Sequence, residues 1–289
     1  MKISYFLLAV MCLFCFGCTT KGNDKFIIEV GSKPEQLGME IWEGDRPDVG
    51  PAGIAANETS IYILDKVNFK INFYSYDGKY KSSIHLPKDY RYYDITVYTD
   101  GNPTVLTDKG ILVIDDTKQI SKIADLPEII RLPYYFSIDE FGRIGLSGLS
   151  PQGRIVVGII DSNGTFEILD GHRIFLSRSG YVGIQTSHET FEIREEGKLS
   201  NKLAVNHAMI PVGLTDDMRV YFREATKTGN KISVIDKGGE IRSIEFEYQS
   251  LLIYDDSCMI RFFRVNQKGE VVCLEAKKES IIVHIISIK

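Results

Sequence analysis

Catalytic motifs are missing from this 289-residue sequence. It has no phosphate loop, no GxGxxG and no HxxxH pair, so nucleotide binding and zinc chemistry lack their usual sequence support. Gly145-Leu146-Ser147-Gly148 lacks the spacing of a nucleophile elbow. Asp161-Ser162-Asn163-Gly164 begins like a calcium loop but lacks the distal glutamate, and its composition predicts a hairpin turn.

Basic charge is also in the minority, with 34 Lys and Arg against 39 Asp and Glu. Nucleic acid is a dense polyanion, so it is not an expected partner. Cysteine is scarce, and only Cys258 and Cys273 fall in the part expected to fold. Reflecting Cys273 through the turn at Gly269 places it opposite Phe262 or Phe263. We therefore expect two buried free thiols, with a disulfide as the alternative.

Residues 1–18 have one positive charge, an apolar run over residues 3–16 and a polar sequence after Cys18. The run is shorter than the roughly 20 residues of a membrane helix, and it predicts a secretory signal. Cys15-Phe16-Gly17-Cys18 resembles the lipobox of bacterial lipoproteins, although Cys15 replaces the usual leucine. We predict a signal peptide at 1–17, lipid attachment at Cys18 and a tether at 18–24. The protein would be exported and membrane-anchored in the bacterial cell envelope. An ordinary secretory signal or an uncleaved anchor is the alternative.

The rest of the chain shows no sustained helical period and repeats short runs rich in Ile, Val, Tyr and Phe. Hairpin turns recur about every 42 residues, which is the length of a four-stranded propeller blade. These turns centre on Glu58, Gly101, Gly142, Gly180, Asp217 and Gly269. A second set, between third and fourth strands, lies at Asp77-Gly78, Asp115-Asp116, Asn163-Gly164, Glu196-Gly197 and Gly238-Gly239.

Only five second turns are visible, so the last blade lacks a strand, while KFIIEV at residues 25–30 is unassigned. We predict an all-β, six-bladed β-propeller over residues 25–289, built of four-stranded antiparallel blades and closed by the N-terminal strand. Closure removes open sheet edges. A β-solenoid or open sandwich is the alternative. Residues 31–49 are rich in Gly and Pro and should cross irregularly from blade six to blade one, with Trp42 packed over the seam.

Residues 28–87 resemble six-bladed propeller lipoproteins related to NHL-repeat proteins. The matching residues are Gly50, Pro51, Ile61-Tyr62-Ile63-Leu64-Asp65, Asn68, Ile71 and Asp77-Gly78-Lys79. Lys70 stands where that family often has arginine. We interpret Asp65 and Asn68 as turn formers that connect the second and third strands.

One face of such a propeller carries the links between blades and the loops between second and third strands. In this chain these segments are rich in aromatic, arginine and histidine residues, which are typical of binding surfaces. The candidate binding residues are Tyr90, Arg91, Tyr92, Tyr93, Arg131, Tyr134, Tyr135, His172, Arg173, His188 and His207. The alternative is that the tyrosines cap the tunnel. Arg261-Phe262-Phe263-Arg264 is interpreted as a tunnel-lining strand.

These features favour a monomeric, lipid-anchored binding or scaffold module, without cofactor or catalytic residues, which recognises a peptide, glycan or envelope protein. The fold also resembles calcium-dependent lactonases and esterases, so a hydrolase acting at the tunnel mouth is the alternative function and calcium the possible cofactor. Candidate ion ligands are Asn57, Asp94, Asp139 and Asp170. A scaffold that uses the sides of the blades is a third hypothesis.

Overall fold

The computed structural model describes residues 23–42, 48–97, 101–252 and 259–288, which form six sheets of four antiparallel strands. The predicted signal peptide, Cys18 and most of the expected tether lie outside these residues. The first strand, β1 (Asn23–Glu29), begins within the last two residues of that tether and belongs to the last blade. No helix among the described residues is long and apolar enough to cross a membrane.

The remaining strands follow in chain order, four to a blade. Blade one contains β2 (Gly53–Ala56), β3 (Ile61–Asp65), β4 (Lys70–Tyr74) and β5 (Tyr80–His85). Blade two contains β6 (Tyr92–Val97), β7 (Pro103–Thr107), β8 (Gly110–Ile114) and β9 (Ile120–Ala124). Blade three contains β10 (Leu132–Ile138), β11 (Ile144–Leu149), β12 (Ile155–Ile160) and β13 (Phe166–Leu169).

The second half repeats this plan. Blade four contains β14 (Arg173–Leu176), β15 (Val182–Ser187), β16 (Thr190–Glu195) and β17 (Lys198–Ala204). Blade five contains β18 (Ile210–Leu214), β19 (Val220–Ala225), β20 (Gly229–Ile235) and β21 (Ile241–Glu247). Blade six contains β22 (Phe263–Val265), β23 (Glu270–Ala276), β24 (Ser280–Ser287) and β1.

The fold is therefore the predicted six-bladed propeller, and the predicted closure of the ring is confirmed. β1 pairs with β24 along its whole length, from Asn23 opposite Ile286 to Glu29 opposite Ser280. Ile28 is buried by this pairing, whereas Ile27 is 66% exposed. The alternation places one face of β1 on the core and leaves the other in solvent.

Burial falls from the inner strands of a blade to its outer strand. All five residues of β3 are buried, while β5 has one buried residue. Central strands are covered on both faces by neighbouring blades, so they read as continuous apolar runs, whereas outer strands alternate. At the turns, Asp161 accepts the backbone N–H groups of Asn163 at 2.9 Å and Thr165 at 2.8 Å, and Gly164 has φ of 82°. This sequence forms the hairpin turn predicted for it.

The first part of the predicted crossover, residues 33–38, is held to blade one by polar contacts. Asp65 accepts the backbone N–H groups of Gly38 and Asn68, at 2.9 and 3.0 Å. Lys70 is buried and donates to three carbonyl oxygens of residues 33–36, and burial lowers the pKa of its ammonium. The structural role predicted for Asp65 and Asn68 is borne out by these contacts.

Two smaller expectations have different outcomes. Trp42 is not a buried core residue: it is 44% exposed, and its backbone N–H donates to Asp48 at 3.0 Å. Cys273 is a buried free thiol and pairs with Phe263, as the reflection through the turn predicts. Cys258 lies outside the described residues.

Candidate functional site

Two cavities open on opposite faces of the propeller. The first has a volume of about 590 Å³ and lies on the face of the blade-to-blade links. We call it the aromatic pocket. It is lined by Lys66, Phe69, Lys88, Tyr90, Arg91, Tyr92, Tyr93, Leu132, Pro133, Tyr134 and Arg261. The second, the tunnel cavity, has a volume of about 450 Å³ and is lined by the six inner strands and their first hairpins.

Phe69 enters the wall of the aromatic pocket from a strained turn. It follows β3 in the turn that Asp65 organises, and its φ is 53°, in the left-handed region that residues with a Cβ rarely adopt. Its carbonyl accepts the N–H of Leu86 at 2.8 Å, which fixes the turn against the end of β5. Such a conformation costs on the order of 1–2 kcal/mol, and strain of this kind concentrates at functional sites.

Tyr90, from the link between blades one and two, also lines the pocket, together with Tyr92 and Tyr93, which begin β6 and do not lie in the link as predicted. Tyr92 donates its hydroxyl to the carbonyl of Pro87 at 2.7 Å, and its ring centre lies 6.3 Å from that of Tyr90. Burial raises the pKa of Tyr92 and of Tyr93, so both stay neutral at physiological pH. The wall therefore offers neutral aromatic surface with a fixed orientation.

Four basic residues line the aromatic pocket, and no aspartate or glutamate is among its lining residues in the described chain. They are Lys66, Lys88, Arg91 and Arg261. Lys88 Nζ lies 5.7 Å from the ring centre of Phe69, and Arg261 donates to the carbonyl of Tyr93 at 3.3 Å. The described lining of the pocket is therefore rich in basic residues, although the whole chain is acidic.

Two aspartates next to the pocket already have partners. Asp108 accepts the backbone N–H of Arg91 at 2.9 Å, and Asp89 pairs with Lys109 at 3.3 Å. Lys109 also lies 4.6 Å from the ring centre of Tyr90. These contacts stabilise the link that carries Tyr90 and Arg91.

Several predicted site residues lie elsewhere. Arg131 and His207 are exposed and outside the aromatic pocket. His172 and His188 stack in blade four with ring centres 5.2 Å apart, and Arg173 donates to a glutamine of β15 at 2.8 Å. The structure thus brings together Tyr90, Arg91, Tyr92, Tyr93 and Tyr134, but does not bring the residues of blade four to the same cavity.

The placement of Tyr135 on the loop face was wrong. Tyr134 and Tyr135 both lie inside β10 and are both buried. Tyr134 lines the aromatic pocket, whereas Tyr135 lines the tunnel cavity, with the guanidinium of Arg264 at 4.5 Å from its ring centre. Arg261 also departs from the predicted strand, because residues Ile260–Phe262 form a 3-10 helix before β22.

A buried ion pair lies between the two cavities. Asp94 is fully buried and contacts Arg264 Nη2 at 2.5 Å. Its carboxylate also accepts the N–H groups of Ile95 at 2.8 Å and Phe136 at 3.2 Å. Burial raises the pKa of Asp94 to about 6, although Arg264 opposes that rise. Gly53 makes room for this carboxylate, because a Cβ there would lie 2.8 Å from its oxygen.

The residues considered as calcium ligands do not fit a shared ion. Asp94 is bound by Arg264, while the buried carboxylate of Asp139 binds Arg143 at 2.6 Å within a hairpin turn. Asn57 donates to a tyrosine hydroxyl of β3 at 2.7 Å, and Asp170 is exposed. Among the described residues, no three His, Cys, Asp or Glu side chains form a group that could hold a metal ion.

Sequence reasoning missed six lining residues of the aromatic pocket. These are Lys66, Phe69, Lys88, Leu132, Pro133 and Arg261. Lys66 and Phe69 lie in a loop between second and third strands, so the register that placed the tyrosines on this face could have found them. Arg261 carried no such signal, because the 3-10 helix that presents it departs from the repeat.

No protein-family model and no curated protein sequence matches this chain. Among solved structures, it is similar to virginiamycin B lyase from Staphylococcus aureus, with 12% identity, TM-score 0.54 and coverage of 92% of this chain and 100% of that one. It is also similar to a gluconolactonase from Xanthomonas campestris, with 14% identity, TM-score 0.54 and coverage of 82% and 86%. A calcium-binding regucalcin from Agrobacterium tumefaciens has 10% identity, TM-score 0.54 and coverage of 83% and 90%. At these identities the similarity establishes the propeller fold alone.

Proposed function

We propose that this chain is a lipid-anchored binding protein of the bacterial cell envelope. It captures a peptide, glycan or envelope protein over the face of the blade-to-blade links, with the aromatic pocket as the anchoring site. The signal sequence and Cys18 support the location. The aromatic pocket, with its basic lining, supports the binding role and is the observation that carries the proposal.

The chemistry of the pocket favours a partner with an acidic group next to a ring or an apolar side chain. Aromatic walls supply contact area at a small entropic cost, and arginine is well suited to carboxylates. Leu132, which is 42% exposed, extends the apolar surface at the rim. An acidic peptide or a uronic-acid glycan meets both requirements, whereas a neutral polymer meets only one.

Phe69→Gly tests the proposal. The change removes a ring from the pocket and also relieves the left-handed strain, so binding and stability are separated. We expect capture of the native envelope partner, and of an acidic probe such as polygalacturonate, to fall at least tenfold, because a buried aromatic anchor contributes on the order of 2 kcal/mol. Arg91→Ala should weaken binding of the acidic probe, and the binding that remains should depend less on salt concentration.

Phe141→Ala is the matched control. Phe141 is 59% exposed and lies in the first hairpin of blade three, on the opposite face. It should leave capture unchanged, and the Tm of every variant should be measured alongside. The proposal is wrong if Phe69→Gly and Arg91→Ala both bind like the wild type. It is also wrong if Phe141→Ala, and not Phe69→Gly, loses capture of the partner.

A further inference from the structure

The tunnel cavity is separate from the aromatic pocket. Along β6, Tyr93 lines the aromatic pocket, Asp94 is fully buried, and Thr96 lines the tunnel cavity. Along β10, Tyr134 lines the aromatic pocket and the next residue, Tyr135, lines the tunnel cavity. No described residue lines both cavities. A ligand in the tunnel cavity therefore enters from the face of the first hairpins and meets different chemistry.

The walls of the tunnel cavity offer both hydrogen-bond donors and acceptors. All six inner strands contribute to it, and the inner edge of each has no neighbouring strand. Such edges present backbone N–H and C=O groups in alternation. Tyr135 and Phe175 add apolar surface, with ring centres 5.1 Å apart at 55°. Hydroxyl groups both donate and accept, so a polyhydroxylated molecule matches this lining.

The charges of the tunnel cavity are compensated by neighbouring protein groups. Asp94 neutralises Arg264 at the inner end of the cavity. At the mouth, Asp216 accepts the backbone N–H of Ser179 at 2.7 Å. Besides Arg264, which is paired with Asp94, the described lining has one basic and two acidic residues, so it disfavours an anion. We infer that the tunnel cavity is a second binding site, which takes a neutral polyhydroxylated molecule of the size of a mono- or disaccharide. This inference is independent of the function proposed for the aromatic pocket.

Three exposed side chains form a strap over the mouth of the cavity. With the amide of Gln267 oriented to satisfy both partners, its nitrogen donates to Glu58 Oε1 at 3.1 Å and its oxygen accepts from Arg178 Nη1 at 2.8 Å. These residues belong to the first hairpins of blades one, six and four. Blades four and six are not neighbours in the ring, so the strap crosses the opening. Rotation of Gln267 breaks both bonds and admits the ligand.

Calorimetric titration of the protein with D-glucose, N-acetylglucosamine and trehalose tests this site, with D-glucuronate as the anionic comparison. At least one neutral sugar should bind with a Kd of about 1 mM or tighter, and glucuronate should bind more weakly. Thr96→Phe, inside the cavity, and Thr59→Trp, at its exposed rim, should each weaken binding at least tenfold. Gln267→Ala should increase the association rate of the sugar without lowering the affinity for it.

Phe69→Gly, in the aromatic pocket, should leave sugar binding unchanged. Thr59→Trp decides the test if Thr96→Phe does not fold. The inference is overturned if none of the neutral sugars binds, if glucuronate binds more tightly than all of them, or if folded Thr59→Trp binds like the wild type.

Discussion

Replacement of Arg264 should make the stability of the protein steeply dependent on pH. Asp94 is fully buried, and burial raises its pKa from 3.8 to about 6 even with the guanidinium of Arg264 at 2.5 Å. In the unfolded chain this carboxyl ionises near its ordinary value. The folded state therefore binds the proton more tightly, and the wild type loses about 3 kcal/mol of stability as the pH rises from 3.8 through 6.

Arg264→Met removes the nearest positive charge, which leaves Arg261 as the remaining arginine that lowers the pKa of Asp94. The pKa of Asp94 should rise above 6, so the loss of stability continues at higher pH. Each further pH unit at which the folded carboxyl stays protonated costs about 1.4 kcal/mol. The stability difference between wild type and variant should grow by up to about 3 kcal/mol between pH 6 and pH 8. A constant loss is added, because the contact with the ring of Tyr135 also disappears.

Urea unfolding at several pH values from 5 to 8 measures this growth. The double variant Asp94→Asn with Arg264→Met is the control: it has no carboxyl to titrate, so its stability should lack this pH dependence. A difference between Arg264→Met and wild type that stays constant over this range would refute the reasoning, since it would mean that Arg264 contributes packing and not compensation of the buried charge.

Three further predictions concern the pairing of β1, the buried carboxylate of Glu275 and the N-terminus. Ile28→Lys should lower the Tm strongly, because Ile28 is buried against blade six. Ile27→Lys is the control, and it should change stability by less than about 0.5 kcal/mol. Equal Tm values for the two variants would contradict the pairing of β1. Burial opposes ionisation of Glu275, yet hydrogen bonds lower its pKa to about 2, so Glu275→Gln should cost on the order of 2 kcal/mol in urea unfolding at pH 7. That cost should shrink as the pH falls from 4.5 toward 2, and a cost that persists there would exclude a role for the charge. Cys18→Ser should give exported protein without membrane attachment, and labelled fatty acid retained by this variant would refute the lipobox.

The sequence was sufficient to predict the blades because their signals are local. Each turn needs a few residues, such as Asp161 and Gly164, whose side chain or φ fixes the hairpin. The closure of the ring followed from counting strands, since the last blade lacked a fourth strand and the N-terminal strand was not assigned to any blade. The position of Trp42 was not predictable in this way, because no repeat constrains the crossover in which it lies.

The ion pair between the cavities could not be predicted from one sequence. Asp94 and Arg264 are separated by 170 residues and meet only because blades two and six both face the axis. Neither residue lies in a recognisable motif, and Asp94 was considered only as a possible calcium ligand. Its position required the register of two inner strands, β6 and β22, and the pairing of β6 departs from regular register.

Irregular pairing of β6 and of β10 explains how neighbouring aromatic residues are divided between the cavities. The pairing of β6 with β7 shifts between Tyr92 and Asp94, and that of β10 with β11 shifts between Pro133 and Tyr135. A β-bulge re-aims the side chains around it, and both bulges lie where the lining changes from the aromatic pocket to the buried pair. Tyr134 and Tyr135, which the sequence places together on one loop, therefore contribute to two separate cavities. Because the buried pair lies between the cavities and no described residue lines both, we expect substitutions at one mouth of the propeller to alter its chemistry without changing the ligand preference of the other.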